Sequence, residues 1–365
     1  MKKIIKITFF AGLAAGLHLF AANVNNGTPY PVKKPQIQEK KAFEQGYQTD
    51  SNSMVQGYSY PGRISVSDKW DFYSYVSLLY WQMIADGYDF IFDYNSTTHE
   101  YNPVRWPHKW KPALKTGLAM TFHNHDDWRM LGEYLRYYST TKVSASKKSG
   151  DDNYLVINAW AGGNTVQSAD GRLHVGIDAV NFSLDRPYYM GSKLIVNPLC
   201  GIHAAWIHQD VHTNIYDVTD HVEGRVPTYN KSKDWALGPR AGFDAKFLLG
   251  EGVRFFGKGA LSLNYCRQYY FGQFYGFAND IINPQQVVND SRSFLRPELE
   301  LGGGFGWGTY IDDYNWNFDL SLGYDMYLIF KEQNIQYERL DYYYSSMKPM
   351  NLCLHGLTFS ARLDF

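Results

Sequence analysis

The chain has 365 residues, 45% of them hydrophobic and 19% charged, with a formal net charge of −1 at pH 7. That length allows one large domain or two ordinary ones, and the balanced charge offers nothing to a nucleic-acid backbone. Cys200, Cys266 and Cys353 are widely spaced, with no CxxC pair, which argues against a disulfide framework or a zinc ribbon.

The N-terminus reads MKKIIKITFFAGLAAGLHLFAA. Lys2, Lys3 and Lys6 make a basic start, Ile7 to Phe20 an apolar run, and Ala21-Ala22 a small-residue cleavage region, so residues 1–22 read as a secretory signal peptide. Residues 23–69 are polar and rich in Asn, Lys, Gln, Ser and Pro, and are expected to form a periplasmic extension without a core. No later apolar run reaches the roughly 18 residues a spanning helix needs, so a further membrane crossing requires a closed barrel.

From Trp70 onward the texture changes. Aromatic content over the whole chain is 17%, led by 30 tyrosines, and such side chains, apolar in the body and polar at the tip, collect at membrane interfaces. Alternation with period two recurs, as in Phe318, Leu320, Leu322, Tyr324, Met326, Leu328 and Phe330 set against Asp319, Ser321, Gly323 and Asp325. Ten strands are predicted, near 72–84, 110–122, 129–140, 172–184, 193–207, 235–248, 253–267, 293–306, 316–330 and 355–365, with twelve as the alternative count. Long links at 85–109, 141–171, 208–234, 268–292 and 331–354 alternate with short ones at 123–128, 185–192, 249–252 and 307–315. Such sorting marks an all-β outer-membrane barrel over residues 70–365, antiparallel, with short periplasmic turns and long extracellular loops. Phe365 closes the last alternating segment and reads as a barrel-assembly signal.

Two segments carry a more specific likeness: FYSYVSLLYWQMIADGYDF (72–90) and KWKPALKTGLAMTFHNHDDWRMLGEYLRYYSTT (109–141). With the pair Tyr80-Trp81, Gly117, the turn Asp126-Asp127-Trp128 and the Tyr-rich strand after it, they resemble the opening strands of the Legionella-type major outer membrane protein family, which also has members in chlamydia-like bacteria. The specific motifs cover roughly a fifth of the chain. The resemblance implies a pore-forming outer-membrane barrel and no catalytic residues. Chlamydial major outer membrane proteins proper are cysteine-rich; this chain is not, which argues against a cross-linked envelope role.

Three clusters carry residue types capable of chemistry. His123-Asn124-His125-Asp126-Asp127-Trp128 falls on the first short link and reads as a hairpin turn rather than a metal site, since Asn and Asp favour turns and a tight turn seldom converges three ligands. His203, His208, Asp210 and His212 lie at the top of a strand, where His212 beside Asp210 is the pairing that acid–base chemistry would need; polar rim residues are the simpler reading. Gly302-Gly303-Gly304-Phe305-Gly306 precedes no helix, so it is not a phosphate loop; in a barrel such glycines relieve curvature or crowding.

The expected activity is a porin-like passive channel lined by Arg240, Asp244, Lys246, Arg254, Lys258, Arg296, Glu298, Glu300, Asp319 and Asp325. The first alternative is a structural or adhesive barrel whose lumen is closed by these same charges pairing, with segments 91–107 and 271–286 as its contact surface. A lower alternative is an omptin-like hydrolase built on His212. No enzyme activity, cofactor or metal is expected. The expected partners are outer-membrane lipid, the barrel-assembly machinery and small solutes or ions, with a homo-oligomer left open, but no nucleic acid.

Overall fold

The computed structural model describes residues 66, 72–85, 89–122, 127–147, 153–156, 165–216, 225–278, 281–312, 314–340 and 344–365. The signal peptide and the polar extension, Val66 apart, lie outside them. Ten antiparallel strands close into a ring: β1 (Phe72–Ala85), β4 (Trp110–Phe122), β5 (Trp128–Ser146), β8 (Ser168–Asp185), β10 (Leu194–Tyr216), β11 (Arg225–Gly250), β12 (Val253–Ala278), β13 (Ile281–Ile311), β14 (Trp316–Leu340) and β15 (Tyr344–Asp364). Each pairs with its chain neighbour, and β15 pairs back onto β1 from Tyr73↔Asp364 to Ala85↔Leu352. Closure leaves no free edge, as a sheet in lipid requires. A short strand, β9 (Tyr188–Met190), adds to β10 at the turn end.

Every predicted strand is present, but several run further than predicted. The segments expected as long loops at 208–234, 268–292 and 331–354 are largely continuations of the barrel wall, with β10 reaching Tyr216, β12 Ala278 and β14 Leu340. The reason is visible in the side chains. Alternation does not stop above the lipid belt; it changes sign. On β10 the outward Ile202 and Trp206 are exposed apolar residues, while the outward residues beyond them are His208, Asp210 and His212. A search for apolar-out alternation ends where the wall leaves the membrane.

The outward belt consists of residues such as Leu78, Leu118, Phe182, Ile202, Leu261, Leu295, Phe305 and Leu322, all exposed. Aromatic residues fringe it at both ends: Trp128, Trp307 and Trp316 beside the turns, and Tyr80, Trp110, Trp206 and Tyr265 on the other side. Exposed apolar side chains in such a band are stable only against lipid, where their burial contributes about 25 cal/mol per Å².

A second sheet, β3-β2-β6-β7, is formed by β2 (Asp89–Asn95), β3 (Glu100–Arg105), β6 (Asn153–Val156) and β7 (Thr165–Val166). It occupies segments expected as loops. Phe90, Ile91, Trp106, Leu155 and Val166 are buried in one apolar cluster with the inward residues Leu173, Ile177, Ile207 and Ile215 of the barrel wall. Gly171, on the inner face of β8, makes room for them: a Cβ there would stand 2.5 Å from the Phe90 ring and 2.7 Å from the Trp106 ring. The two ends of segment 91–107, expected as an exposed contact loop, fold in as a cap through Ile91, Asp93 and Trp106, because burying the apolar side chains there is favoured over hydrating them, while residues 97–103 and Arg105 stay exposed as expected. Tyr101 remains exposed.

Candidate functional site: the barrel interior

The inward face of each strand carries the alternate residues, and towards the turn end many of them are charged. Starting from the turn end, Arg129 pairs with Asp185 across β5 and β8 (Nε to Oδ1 2.7 Å). Arg254 reaches Asp319 (Nη2 to Oδ1 2.7 Å), and Arg362 pairs with Asp364 on its own strand. A level further in, Lys115 meets Glu133 at 3.1 Å, and the Tyr75 hydroxyl donates to the same carboxylate. Arg240 holds Glu300 through both Nε and Nη2 at 3.0 and 3.3 Å, and Lys258 holds Asp325 at 2.9 Å, with Thr358 donating to the same oxygen.

At the third level Arg296 of β13 is fully enclosed. Its Nη1 pairs with Asp234 of β11 and Glu332 of β14, and its Nε with Glu298 (3.0 Å). Gln209 of β10 donates to Glu332 across the lumen (3.0 Å). His203 of β10 lies 2.8 Å from Glu298, and the Tyr327 hydroxyl of β14 donates to that carboxylate too. Above this level lies the apolar cluster already described. Ion pairs fill the turn-side half of the lumen, and the other half is filled by the apolar cluster together with neutral polar side chains such as Asn230, Ser232 and Gln268.

All ten residues expected to line a pore face inward. Eight of them are engaged in the ion pairs above; Asp244 and Lys246 make no direct pair among the described residues. Sequence reasoning missed Lys115, Glu133, Asp234 and Glu332, and grouped His203, which is buried in the lumen, with the rim residues His208, Asp210 and His212. Asp234 precedes the alternating run that begins at Trp235, so its parity was available. Lys115 and Glu133 sit on strands with apolar residues on both faces, which hides the alternation. Glu332 could not have been found by parity: the β14–β15 pairing has a register shift between Ile329 and Glu332, with Lys331 at φ 54°, and this turns Glu332 inward.

The glycine run in β13 has a packing purpose. Gly302, Gly306 and Gly308 face inward. A Cβ on Gly302 would stand 2.2 Å from Asp325 Oδ1 and 2.5 Å from Lys258 Cε, and one on Gly306 would stand 2.8 Å from the Arg254 guanidinium. The absent side chains are the space in which two ion pairs fit, so the expected relief of crowding is the role observed.

Phe122 of β4 pairs directly with Trp128 of β5, and Asp127 has a left-handed φ of 56°. The HNHDDW segment is thus a hairpin link; His123, Asn124, His125 and Asp126 lie outside the described residues. His212 and Asp210 both point outward above the belt. His212 packs edge-on against Tyr229 (4.9 Å), and Lys231 is the ionic neighbour of Asp210, at 3.6 Å. Phe365 closes the ring: its N–H donates to Phe72 O at 2.8 Å, and its ring lies near Phe72 (6.3 Å) and Trp316 (5.8 Å). Among the described residues no group of three or more His, Cys, Asp or Glu is arranged to hold a metal ion.

The family described as Legionella pneumophila major outer membrane protein precursor matches residues 65–365, the whole of this barrel. The chain belongs to that family. This member of the Legionella major outer membrane protein family is accordingly a transmembrane barrel of the bacterial outer membrane. No curated protein matches its sequence. Among solved structures it is similar to the outer membrane protease OmpT from Escherichia coli, at 8% identity over 83% of this chain and 99% of that one, with a TM-score of 0.43. It is also similar to a Pseudomonas aeruginosa FadL homologue, at 6% identity over 82% of this chain and 90% of that one, with a TM-score of 0.25. Likenesses at this level carry no argument about activity.

Proposed function

We propose that this chain is a non-catalytic outer-membrane barrel with a closed lumen, and that its working part is the wall and hairpins standing above the membrane. The observation that carries this reading is Arg296, wholly enclosed and bonded to carboxylates from β11, β13 and β14. A guanidinium lining an open aqueous pore exposes surface to solvent; this one exposes none. The apolar cap above it supports the same reading, and ten strands stand nearer the filled barrels of about eight strands than the aqueous channels of about sixteen or more. Surface binding then falls to the protruding wall, and the partners are outer-membrane lipid and extracellular ligands rather than permeating solutes.

A narrow ion channel is the second reading, and one observation favours it. The filled half of the lumen is polar, both the amide nitrogen and oxygen of Asn264 are buried without a hydrogen-bond partner, and a cavity of about 30 Å³ touches Lys115, Lys258, Glu300 and Asp325. Such a site accommodates water, and breaking the ion pairs would join it to both sides.

Planar-bilayer recording of the refolded barrel separates the two. The closed reading expects a folded, heat-modifiable protein with no stable ohmic steps. Reproducible ohmic openings by the native protein would overturn it in favour of the channel, and their reversal potential in a salt gradient would report which lumen charge dominates.

A further inference from the structure

Above the upper aromatic fringe, on the outer face of the wall, two imidazoles from adjacent strands face each other. His174 of β8 and His208 of β10 place their Nε2 atoms 3.3 Å apart. Neither was paired with the other by sequence, because they are 34 residues apart in the chain. We propose that they form a surface site for a divalent transition-metal ion of the zinc, copper or nickel class, clipping β8 to β10 just outside the lipid.

The distance is the first argument. Nitrogens each about 2.0–2.1 Å from a tetrahedral ion stand roughly 3.3–3.4 Å apart. The Nε2 atoms are already at that spacing, and unprotonated imidazole is the ligand that this class of ion prefers.

The supporting contacts are the second. Thr140 Oγ1 of β5 bonds His174 Nδ1 at 2.9 Å, which fixes the ring and aims its Nε2 at His208. Ligand histidines are commonly oriented in this way through their second nitrogen. Across β8, Gly176 is the register partner of His208. A Cβ at Gly176 would stand 2.0 Å from His208 Cε1 and 2.4 Å from its Nε2. The glycine is a cradle that lets the His208 ring lie over β8 and reach His174. Tyr138 covers both rings, with centroids 6.0 and 5.3 Å away.

Charge is the third. Asp210, the register partner of His174, lies on the same face. Its Oδ1 is buried with no hydrogen-bond partner, Lys231 Nζ standing 3.6 Å away. A carboxylate beside two imidazoles favours a dication. His174 and Asp210 also border an open groove of about 740 Å³ over β5, β8 and β10, so the ion is reached from outside and water fills its remaining positions. The site therefore has two protein ligands and exchanges freely, as a surface clip would. It does not depend on whether the lumen conducts.

The test is Zn²⁺ titration by calorimetry on the full-length barrel refolded in phospholipid nanodiscs. One site per chain is expected, weakened at least tenfold by His174→Ala and by His208→Ala. Gly176→Ala keeps both imidazoles but fills the cradle, and is expected to weaken binding comparably. His212→Ala, outside the pair, is expected to leave affinity within about twofold. Heat-modifiable migration establishes that each variant is folded, and His174→Gln and His208→Gln replace any alanine variant that is not. The proposal is overturned if the native barrel binds Zn²⁺ no more tightly than the double His174→Ala/His208→Ala variant. It is equally overturned if Gly176→Ala binds as the native protein does, because a pair indifferent to its cradle is only two imidazoles sharing a hydrogen bond.

Discussion

Arg296→Met puts the closed lumen under the sharpest stress. The substitution keeps much of the aliphatic stem and removes the guanidinium. Glu298 retains His203 and Tyr327. Asp234 retains only the backbone N–H of Ile207 (2.9 Å), and Glu332 only Gln209. These two carboxylates share one Arg296 nitrogen, so its loss leaves them side by side and nearly sealed from solvent. Like charges ~4 Å apart repel by about 4 kcal/mol at an effective dielectric near 20, and removing one partner of a buried pair costs about 3–5 kcal/mol by direct measurement. The two figures agree. With a urea slope of about 1–3 kcal/mol per M, the midpoint of unfolding in vesicles, followed by tryptophan fluorescence, is expected to fall by at least about 1 M and at most about 5 M. The triple variant Arg296→Met, Asp234→Asn, Glu332→Gln removes the charges together and is expected to regain most of that loss. An unshifted midpoint for Arg296→Met, or a triple variant no better than the single one, would refute the claim that this centre is dry and electrostatically strained.

Three further outcomes follow from other parts of the wall. Gly302→Ala, which drives a methyl into the Lys258–Asp325 pair, is expected to cost about 1–3 kcal/mol in the same assay. Gly303→Ala, where a Cβ meets nothing closer than 3.3 Å, serves as its control, and equal losses would show that backbone freedom rather than side-chain space is what β13 needs. Leu261→Arg, in the middle of the lipid belt, is expected to cost about 2–4 kcal/mol; a smaller loss than for an arginine at His212 would mean that the belt is misplaced. Phe365→Ala removes the ring contacts to Phe72 and Trp316 and is expected to lower the yield of heat-modifiable protein in the outer membrane while leaving the stability of refolded protein within about 1 kcal/mol. A variant that assembles normally in cells would deny Phe365 any signalling role.

What the sequence made legible was governed by where alternation is clean. In the segments 235–248, 253–267, 293–306, 316–330 and 355–365 polar and apolar residues swap sides with few exceptions, and the inward charges Arg240, Arg254, Lys258, Arg296, Glu298 and Asp325 could be read from parity alone. Pairing could not be read, because a partner such as Glu300 for Arg240 is fixed by the register of the barrel and not by spacing. Phe90, Ile91 and Trp106 looked like loop residues, since nothing local reveals that a hairpin will turn into the mouth instead of out to solvent. The His174–His208 pair was hidden for a similar reason: its members meet only because β5, β8 and β10 are neighbours in the ring and Gly176 leaves a gap.

The bulge at Lys331 has a consequence for how this wall can change over generations. Below it, one face of β14 belongs to lipid and the other to the ion pairs, and a single inserted or deleted residue would exchange the two along the remainder of the strand. Strand lengths here are thus free to vary in twos, like codons read in a doublet frame. On β14 that frame has already slipped at Lys331, which delivers Glu332 to Arg296, and it shifts again between Gln333 and Tyr337. Relatives that lack the slip should also lack an acid at this position, and should meet their buried arginine with one carboxylate fewer.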